Sequence, residues 1–173
     1  MKTGIFVALF ALALAVFAVP EAQGKSGRTL DLRLAGSNFI TSSTDEGRPT
    51  PLGQVSTSLQ SGIVKGGGSA VFSSQTVIEQ AGQDDRCGEL PGAALSTTTV
   101  LTYNDGSILS LTTDNEASFF CFDPISGLFF VDFEGTVVGG VGRFEGATGT
   151  WQGTAEAISG TGLVTANVMV DLD

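Results

Sequence analysis

The chain has 173 residues, no histidine and a formal net charge of −10, with 8 lysine and arginine residues against 18 aspartate and glutamate residues. The few cations are scattered and form no basic patch that could neutralise phosphates, so we expect no nucleic-acid partner. The lack of histidine excludes Ser-His-Asp and Cys-His catalysis, histidine-based zinc sites and haem ligation by histidine. We therefore expect neither a cofactor nor a metal ion.

The N-terminus has the pattern of a secretory signal peptide. Lys2 precedes an unbroken apolar run from Ile5 to Val19, which is short for a membrane-spanning helix of about 20 residues. Small residues allow cleavage after Ala18 or after Ala22, and an uncleaved anchor is the alternative. We predict a signal peptide over 1–22 and one domain over 23–173. The mature protein would then be secreted, either periplasmic or extracellular, and would not be held in a membrane.

Two cysteines, Cys87 and Cys121, lie in the predicted mature part. An even pair of cysteines in an exported chain indicates a disulfide. Two buried free thiols are the alternative. A bridge would close a loop of about 35 residues and stabilise the fold by about 3 to 4 kcal/mol in the chain-entropy model.

The mature part has many glycines, serines and threonines and no apolar pattern of helical period, which predicts short strands joined by tight turns. Thr29 to Ala35 alternates apolar and polar residues, and Asn104-Asp105-Gly106 is typical of a hairpin turn. Polar loops are expected at 37–53 and 81–95. An antiparallel meander of eight or nine strands is best closed into an eight-stranded barrel, although a sandwich would also fit. The predicted strands are 29–35, 54–64, 70–80, 96–103, 107–113, 118–123, 128–139, 150–158 and 163–172.

The segment from Val137 to Ala157 resembles the GG-x-GRF-x-x-A-x-G segment of the allene oxide cyclase-like barrels, which include the plant dirigent proteins. The matching residues are Gly139, Gly140, Gly142, Arg143, Phe144, Ala147 and Gly149. The resemblance implies an eight-stranded barrel with a central cavity, no metal and a homo-oligomer. No catalytic or guiding residue of the family finds a matching motif here. We interpret the glycines as a structural connection, with one helical turn over Phe144 to Ala147 and Phe144 plugging one barrel end.

Acidic residues could bind calcium or act as acid and base groups, but each has a simpler explanation. The two acidic clusters lack the spacing of calcium-binding loops, which favours solvated loops. Asp132 and Glu134 alternate with phenylalanines on one predicted strand, and solvent exposure explains them better than paired acid-base chemistry. The clusters are Asp84, Asp85 and Glu89, and Asp114, Glu116 and Asp123.

Phenylalanines are concentrated between residues 119 and 133, where they could form a core, an apolar cavity or an oligomer interface. The sequence predicts a barrel that binds or sterically guides a small apolar or phenolic molecule in its lumen. A non-catalytic structural or surface-interaction protein with a filled barrel is the alternative. Any enzymatic activity would be cofactor-free isomerase or dirigent-like chemistry. The candidate ligand-binding residues are Tyr103, Phe129, Asp132, Arg143 and Trp151.

Overall fold

The computed structural model describes residues 27–45, 54–83, 85–114 and 116–173. The predicted signal peptide lies outside these residues. Almost all of the described chain is β-strand, with two short 3-10 helices at Asp85–Cys87 and Gly142–Phe144. The strands are β1 (Arg28–Asp45), β2 (Gln54–Lys65), β3 (Ala70–Gln83), β4 (Pro91–Tyr103), β5 (Ile108–Thr113), β6 (Phe119–Asp123), β7 (Leu128–Val141), β8 (Gly149–Ile158) and β9 (Leu163–Leu172).

The strands form one antiparallel sheet that closes on itself. The order is β3-β2-β1-β9-β8-β7-β5-β4, and β3 pairs with β4 to complete the cylinder. β6 also lies between β4 and β7, so the nine strands occupy eight positions around the wall. The predicted eight-stranded barrel is therefore confirmed, and the sandwich alternative is not the fold.

One position in the wall is shared by β5 and β6, which follow each other along the same line. β5 pairs with Thr98 to Thr102 of β4, whereas β6 pairs with Gly92 to Ala94 of the same strand. The chain between them leaves the ladder at Asp114 and closes a turn in which the Ser118 N–H donates to the Asp114 carbonyl at 2.9 Å. The wall thus contains one interrupted strand, which the sequence pattern had predicted as two separate strands.

Buried hydroxyl groups replace ladder bonds at this interruption. The Ser118 side chain is fully buried, accepts from the Glu134 N–H at 3.0 Å and donates to the Glu134 carbonyl at 2.9 Å. The Thr113 hydroxyl accepts from the Thr97 N–H at 2.7 Å. An unpaired buried N–H costs about as much as a lost hydrogen bond, so these side chains keep the wall continuous where the backbone is not.

Two predicted loops are partly strand. β1 runs on to Asp45, although 37–53 was expected to be a loop, and β4 begins at Pro91, inside the second expected loop. Ser and Thr in 41–44 are compatible with a strand, and proline is tolerated as the first residue of one. The 3-10 helix spans Gly142–Phe144, two residues before the predicted helical turn, and a single hydrogen-bonded turn follows it at Phe144 to Ala147, where the Ala147 N–H donates to the Phe144 carbonyl at 3.0 Å.

Buried apolar side chains on most of the strands form one main core inside the barrel. Leu32, Leu101, Leu109 and Val170 are 0% exposed and face the axis from four strands. Each fully buried side chain of this kind stabilises the fold by about 2 kcal/mol, which fixes the inward face of every strand that carries one.

Candidate binding site in the barrel

The two ends of the barrel differ, and we call the end that contains the β2–β3 turn (66–69) and the β4–β5 turn (104–107) the closed end. Tyr103 and Phe144 fill it, both 3% exposed, with ring centroids 5.1 Å apart. The Arg143 guanidinium lies 4.2 Å from the Tyr103 ring centroid and donates to the Gly67 carbonyl at 2.7 Å. This end is thus plugged by two packed aromatic rings beneath an arginine.

Electrostatic contacts organise the closed end. Arg143 pairs with Asp105 at 3.2 Å, and the Asp105 carboxylate also accepts from the Ser107 N–H at 2.9 Å. That backbone bond, with the nearby Arg143 charge, lowers the pKa of Asp105 below its ordinary 3.8. Burial raises the pKa of Tyr103, and the charge of Arg143 offsets part of this rise. The Tyr103 hydroxyl is buried and has no hydrogen-bond partner among the described residues.

Glycine is required where the β7–β8 connection passes beneath the β4–β5 turn. Gly142 has φ of +68°, and a Cβ there would lie 2.7 Å from the Ser107 Oγ. A side chain at this position would therefore be strained and would also displace Ser107. Gly139, Gly140, Gly142 and Gly149 all lie in or beside this connection, in the structural location that we predicted for them.

The middle of the lumen holds a small apolar cavity. Its volume is about 30 Å³, which is room for one or two water molecules. Leu32, Phe72, Leu101, Phe133 and Trp151 are among the residues that line it. The Trp151 indole is oriented by a bond from its Nε1–H to the Thr112 carbonyl at 2.9 Å.

Four buried hydroxyl groups line the lumen on β3 and β4, and we call them the hydroxyl seam: Ser74, Thr76, Thr97 and Thr99. Ser74 and Thr99 are joined at 2.7 Å, and Thr76 and Thr97 at 2.9 Å. Each pair has two hydroxyl hydrogens but only one lies between its two oxygens, so one hydrogen in each pair is directed elsewhere. The seam is thus a source of hydrogen-bond donors inside an otherwise apolar lumen.

The other end of the barrel, which contains the β6–β7 turn (124–127) and the β8–β9 turn (159–162), is the mouth. Phe122, Phe129 and Phe133 pack against a small core beside it and yet remain half-buried, so solvent reaches them. The rings of Phe122 and Phe129 stack with their centroids 4.6 Å apart, and those of Phe133 and Trp151 stack with their centroids 5.7 Å apart. We call Phe122, Phe129, Phe133 and Trp151 the aromatic wall.

A disulfide holds the chain beside the mouth. Cys87, in the first 3-10 helix, is bonded to Cys121 of β6 with a Cα–Cα distance of 5.5 Å. The predicted bridge is therefore confirmed. It ties the segment before β4 to the strand that carries Phe120 and Phe122, and so fixes the aromatic wall from outside.

The structure separates the five predicted ligand-binding residues into three places. Phe129 and Trp151 belong to the aromatic wall, in its two different stacked pairs, Phe122–Phe129 and Phe133–Trp151. Tyr103 and Arg143 lie together at the closed end, beyond the core from the mouth. Asp132 is exposed on the outer face of β7, apart from both pairs.

Sequence reasoning missed the hydroxyl seam. Its signal is present as Ser74 and Thr76 alternating on one strand and Thr97 and Thr99 on the next, but the same pattern is typical of a solvent-facing strand surface. Only the register, which places Ser74 opposite Thr99 and Thr76 opposite Thr97, shows that the hydroxyls meet in pairs.

The two acidic clusters are the candidate calcium ligands of the sequence. Within the described ranges, no group of three or more His, Cys, Asp or Glu side chains is placed to hold a metal ion. Asp123 instead accepts from the Ser126 hydroxyl at 2.6 Å and from the Ile125 N–H, and these bonds lower its pKa. Asp84 of the first cluster lies outside the described residues.

Fold and lumen together define the molecule as a disulfide-bonded antiparallel barrel with one plugged end and one accessible end. No model of a known protein family matches the chain, and no curated protein is significantly similar to it. Among the described residues, no helix is long and apolar enough to cross a membrane.

Proposed function

We propose that this protein is exported and that its barrel binds a small amphipathic molecule, an aromatic ring bearing a hydroxyl group, at the mouth. One observation carries the proposal: half-buried inward-facing phenylalanine rings lie on the same lumen as paired, buried hydroxyls. The ring would stack on the aromatic wall. The hydroxyl group would bond to the hydroxyl seam.

The chemistry of the lumen favours binding over catalysis. The described lining residues of the central cavity are apolar or carry hydroxyl or amide groups, and none of them is ionisable. General acid-base chemistry needs a group that gains or loses a proton near the working pH, which a serine or threonine hydroxyl does not. Stacking and hydrogen bonding, in contrast, need only the groups that are present.

The expected affinity is low. The preformed cavity of about 30 Å³ is too small for such a ligand, so the ligand must occupy the mouth and displace water from the rings. For a ligand of about ten non-hydrogen atoms at about −0.5 kcal/mol per atom, the dissociation constant is on the order of 0.1–1 mM.

Export rests on two features that support each other. The N-terminal apolar run has the length of a signal sequence, and the disulfide between Cys87 and Cys121 is of the kind that forms and persists outside the cytosol. The resemblance of the segment around Gly139 to Gly149 to the allene oxide cyclase-like barrels agrees with a barrel that encloses a small apolar molecule.

A second candidate function is supported by the cavity volume of about 30 Å³. A lumen this full is what a structural or surface-interaction barrel requires, because its side chains already fill the interior. In that case the aromatic wall is simply the less covered end of the core.

Titration of the mature protein with 4-propylphenol and with its methyl ether, followed by NMR and by fluorescence of the single tryptophan, tests both candidates. The phenol should shift the signals of Phe129 and Trp151, and Thr99→Val should weaken phenol binding at least threefold without weakening that of the ether. Thr98→Val, on the exposed side of the same strand, is the matched control. No shift at 5 mM of either compound would refute ligand binding and favour the filled barrel.

A further inference from the structure

Strand β1 is longer than the strand beside it. β1 spans 18 residues, but β9 pairs with it only from Arg28 to Ser37. The last bond on that side runs from the Asn38 N–H to the Gly162 carbonyl at 2.7 Å. From Phe39 to Asp45, β1 pairs with β2 on one side, and no described strand pairs with its other side. We call this unpaired side of residues 39–45 the free edge.

The free edge lacks the usual protection against pairing. Exposed edges are normally blocked by lysine, proline or inward charges, or by short length. The run Phe39-Ile-Thr-Ser-Ser-Thr44 has none of these residues, and its first charge is Asp45. A bulge between Ile40 and Ser42 is the only such device that the described backbone shows there.

Apolar side chains are exposed next to the free edge. Leu163, which lies opposite Ser37 at the end of the β1–β9 ladder, is 49% exposed, and Ile158, before the same turn, is 38% exposed. A strand added to the free edge would pass over the β8–β9 turn and cover these residues. Main-chain bonding along an edge with apolar contacts beside it is the pattern of strand addition.

We propose that the free edge is a homodimer interface, in which β1 of one molecule pairs antiparallel with β1 of a second copy across a two-fold axis. An antiparallel pair is self-complementary, so the same edge supplies both partners, as a two-fold interface requires. Each monomer carries a net charge of −10, but residues 36–44 are uncharged. In a pair centred on Ser42, residues 39 and 45 of the two copies lie opposite each other, so the two Asp45 residues are roughly 20 Å apart, well beyond a Debye length of about 8 Å.

The orientation of one backbone group provides a specific test. The Asn38 N–H points to the β9 side, and N–H directions alternate along a strand, so the Ile40 N–H points to the free edge. Ile40→Pro therefore removes a donor from the proposed interface without removing a β1–β2 bond. Ser43→Lys places a charge in the same run. Ser73→Lys places the same charge on an exposed position of β3 where both sides are already paired.

Sedimentation velocity of the mature protein from 1 µM to 500 µM measures the outcome. We expect a concentration-dependent dimer for the parent protein and for Ser73→Lys, and an increase of at least tenfold in the dissociation constant for Ile40→Pro and Ser43→Lys. Circular dichroism melting shows whether each variant is folded, and Ser43→Lys carries the test if Ile40→Pro unfolds. A parent protein that stays monomeric over the whole concentration range would overturn the proposal. This holds also if its free edge binds a strand of a different protein.

Cysteine crosslinking gives the register. Both native cysteines are in the disulfide, and the described residues include no free thiol. In variants that each carry one new cysteine at a position from 40 to 44, only the cysteines nearest the two-fold axis should therefore crosslink the two copies. A dimer that forms equally well in Ile40→Pro and Ser43→Lys, and that none of these cysteines crosslinks, would place the interface elsewhere and refute the inference.

Discussion

The interrupted wall strand makes a quantitative prediction about stability. Ser118 bonds both backbone groups of Glu134, and the Ser118 side chain is fully buried. Ser118→Ala leaves the Glu134 N–H without a hydrogen-bond acceptor among the described residues. The Glu134 carbonyl keeps a bond from the Asp114 N–H at 2.7 Å. One orphaned buried donor and one lost bond cost about 2 to 3 kcal/mol together.

Urea unfolding followed by circular dichroism measures this cost. For a domain of about 150 residues, the same loss lowers the melting temperature by roughly 5–10 °C. Ser126→Ala is the matched control, because the Ser126 hydroxyl bonds an exposed carboxylate and its loss costs less than about 0.5 kcal/mol.

Hydrogen exchange provides a second measurement at the same site. The Glu134 amide should exchange much faster in Ser118→Ala, while amides in β8 and β9 change only with global stability. If the free energy of unfolding of Ser118→Ala is within 0.5 kcal/mol of that of the parent protein, then water or a backbone shift supplies the Glu134 N–H with another hydrogen bond. In that case the serine does not seal the wall.

Three further predictions concern the two ends of the barrel. Replacing Cys87 and Cys121 together by alanine should lower the free energy of unfolding by about 4 kcal/mol, and a loss below 1 kcal/mol in urea titration would contradict the loop-entropy account. Burial raises the pKa of Tyr103, so the neutral phenol favours the fold below its ordinary pKa of 10.0 and this contribution is lost as pH rises. Tyr103→Phe should therefore reduce the loss of unfolding free energy on the alkaline side of a stability–pH curve without lowering that free energy at pH 7. An unchanged loss at alkaline pH would contradict this role of Tyr103. The pKa of Asp105 is lowered below its ordinary 3.8, so its carboxylate stabilises the fold above that pH and this stability is lost as the pH falls. Asp105→Asn should therefore reduce the loss of stability on the acid side of the same curve. An unchanged acid side would show that Asp105 does not cause this loss.

Much of the barrel could be predicted because its strands and turns follow strong local rules. The alternation of Leu30, Leu32 and Leu34 fixes which face of β1 is buried, and Asp105-Gly106 supplies the tight turn before β5. Closure followed from the strand count, since a meander of this length has edges to hide.

The misses have physical causes. Residues 41–45 are polar and precede prolines, so composition favours a loop, but pairing with β2 keeps them extended. The interruption at Asp114 to Ser118 is invisible locally because two hairpin-like strands and one broken strand have the same alternation. What distinguishes them is that both β5 and β6 pair with β4, and this depends on contacts distant in sequence.

The site was only half predictable for a related reason. Phe129 and Trp151 were correctly expected to face the lumen side of the barrel, because large apolar residues on alternating strands have few other places to go. Arg143 and Tyr103 were predicted to line a pocket mouth, and the sequence shows no partner for either. In the structure they contact each other at the closed end, where the Arg143 guanidinium lies 4.2 Å from the Tyr103 ring centroid.

This division of the barrel has a consequence for mutagenesis. The closed end is tied by Arg143 to two turns, at Gly67 and Asp105, and these contacts include no residue of the aromatic wall. Substitutions there should change the free energy of unfolding and leave phenol binding as it is. Thr99→Val should weaken phenol binding and also lower the free energy of unfolding, because it removes a donor from the lumen and leaves the buried Ser74 hydroxyl without this partner. If every substitution at the closed end weakened phenol binding in parallel with the free energy of unfolding, the two ends of the barrel would not act independently. The lumen would then behave as one continuous core.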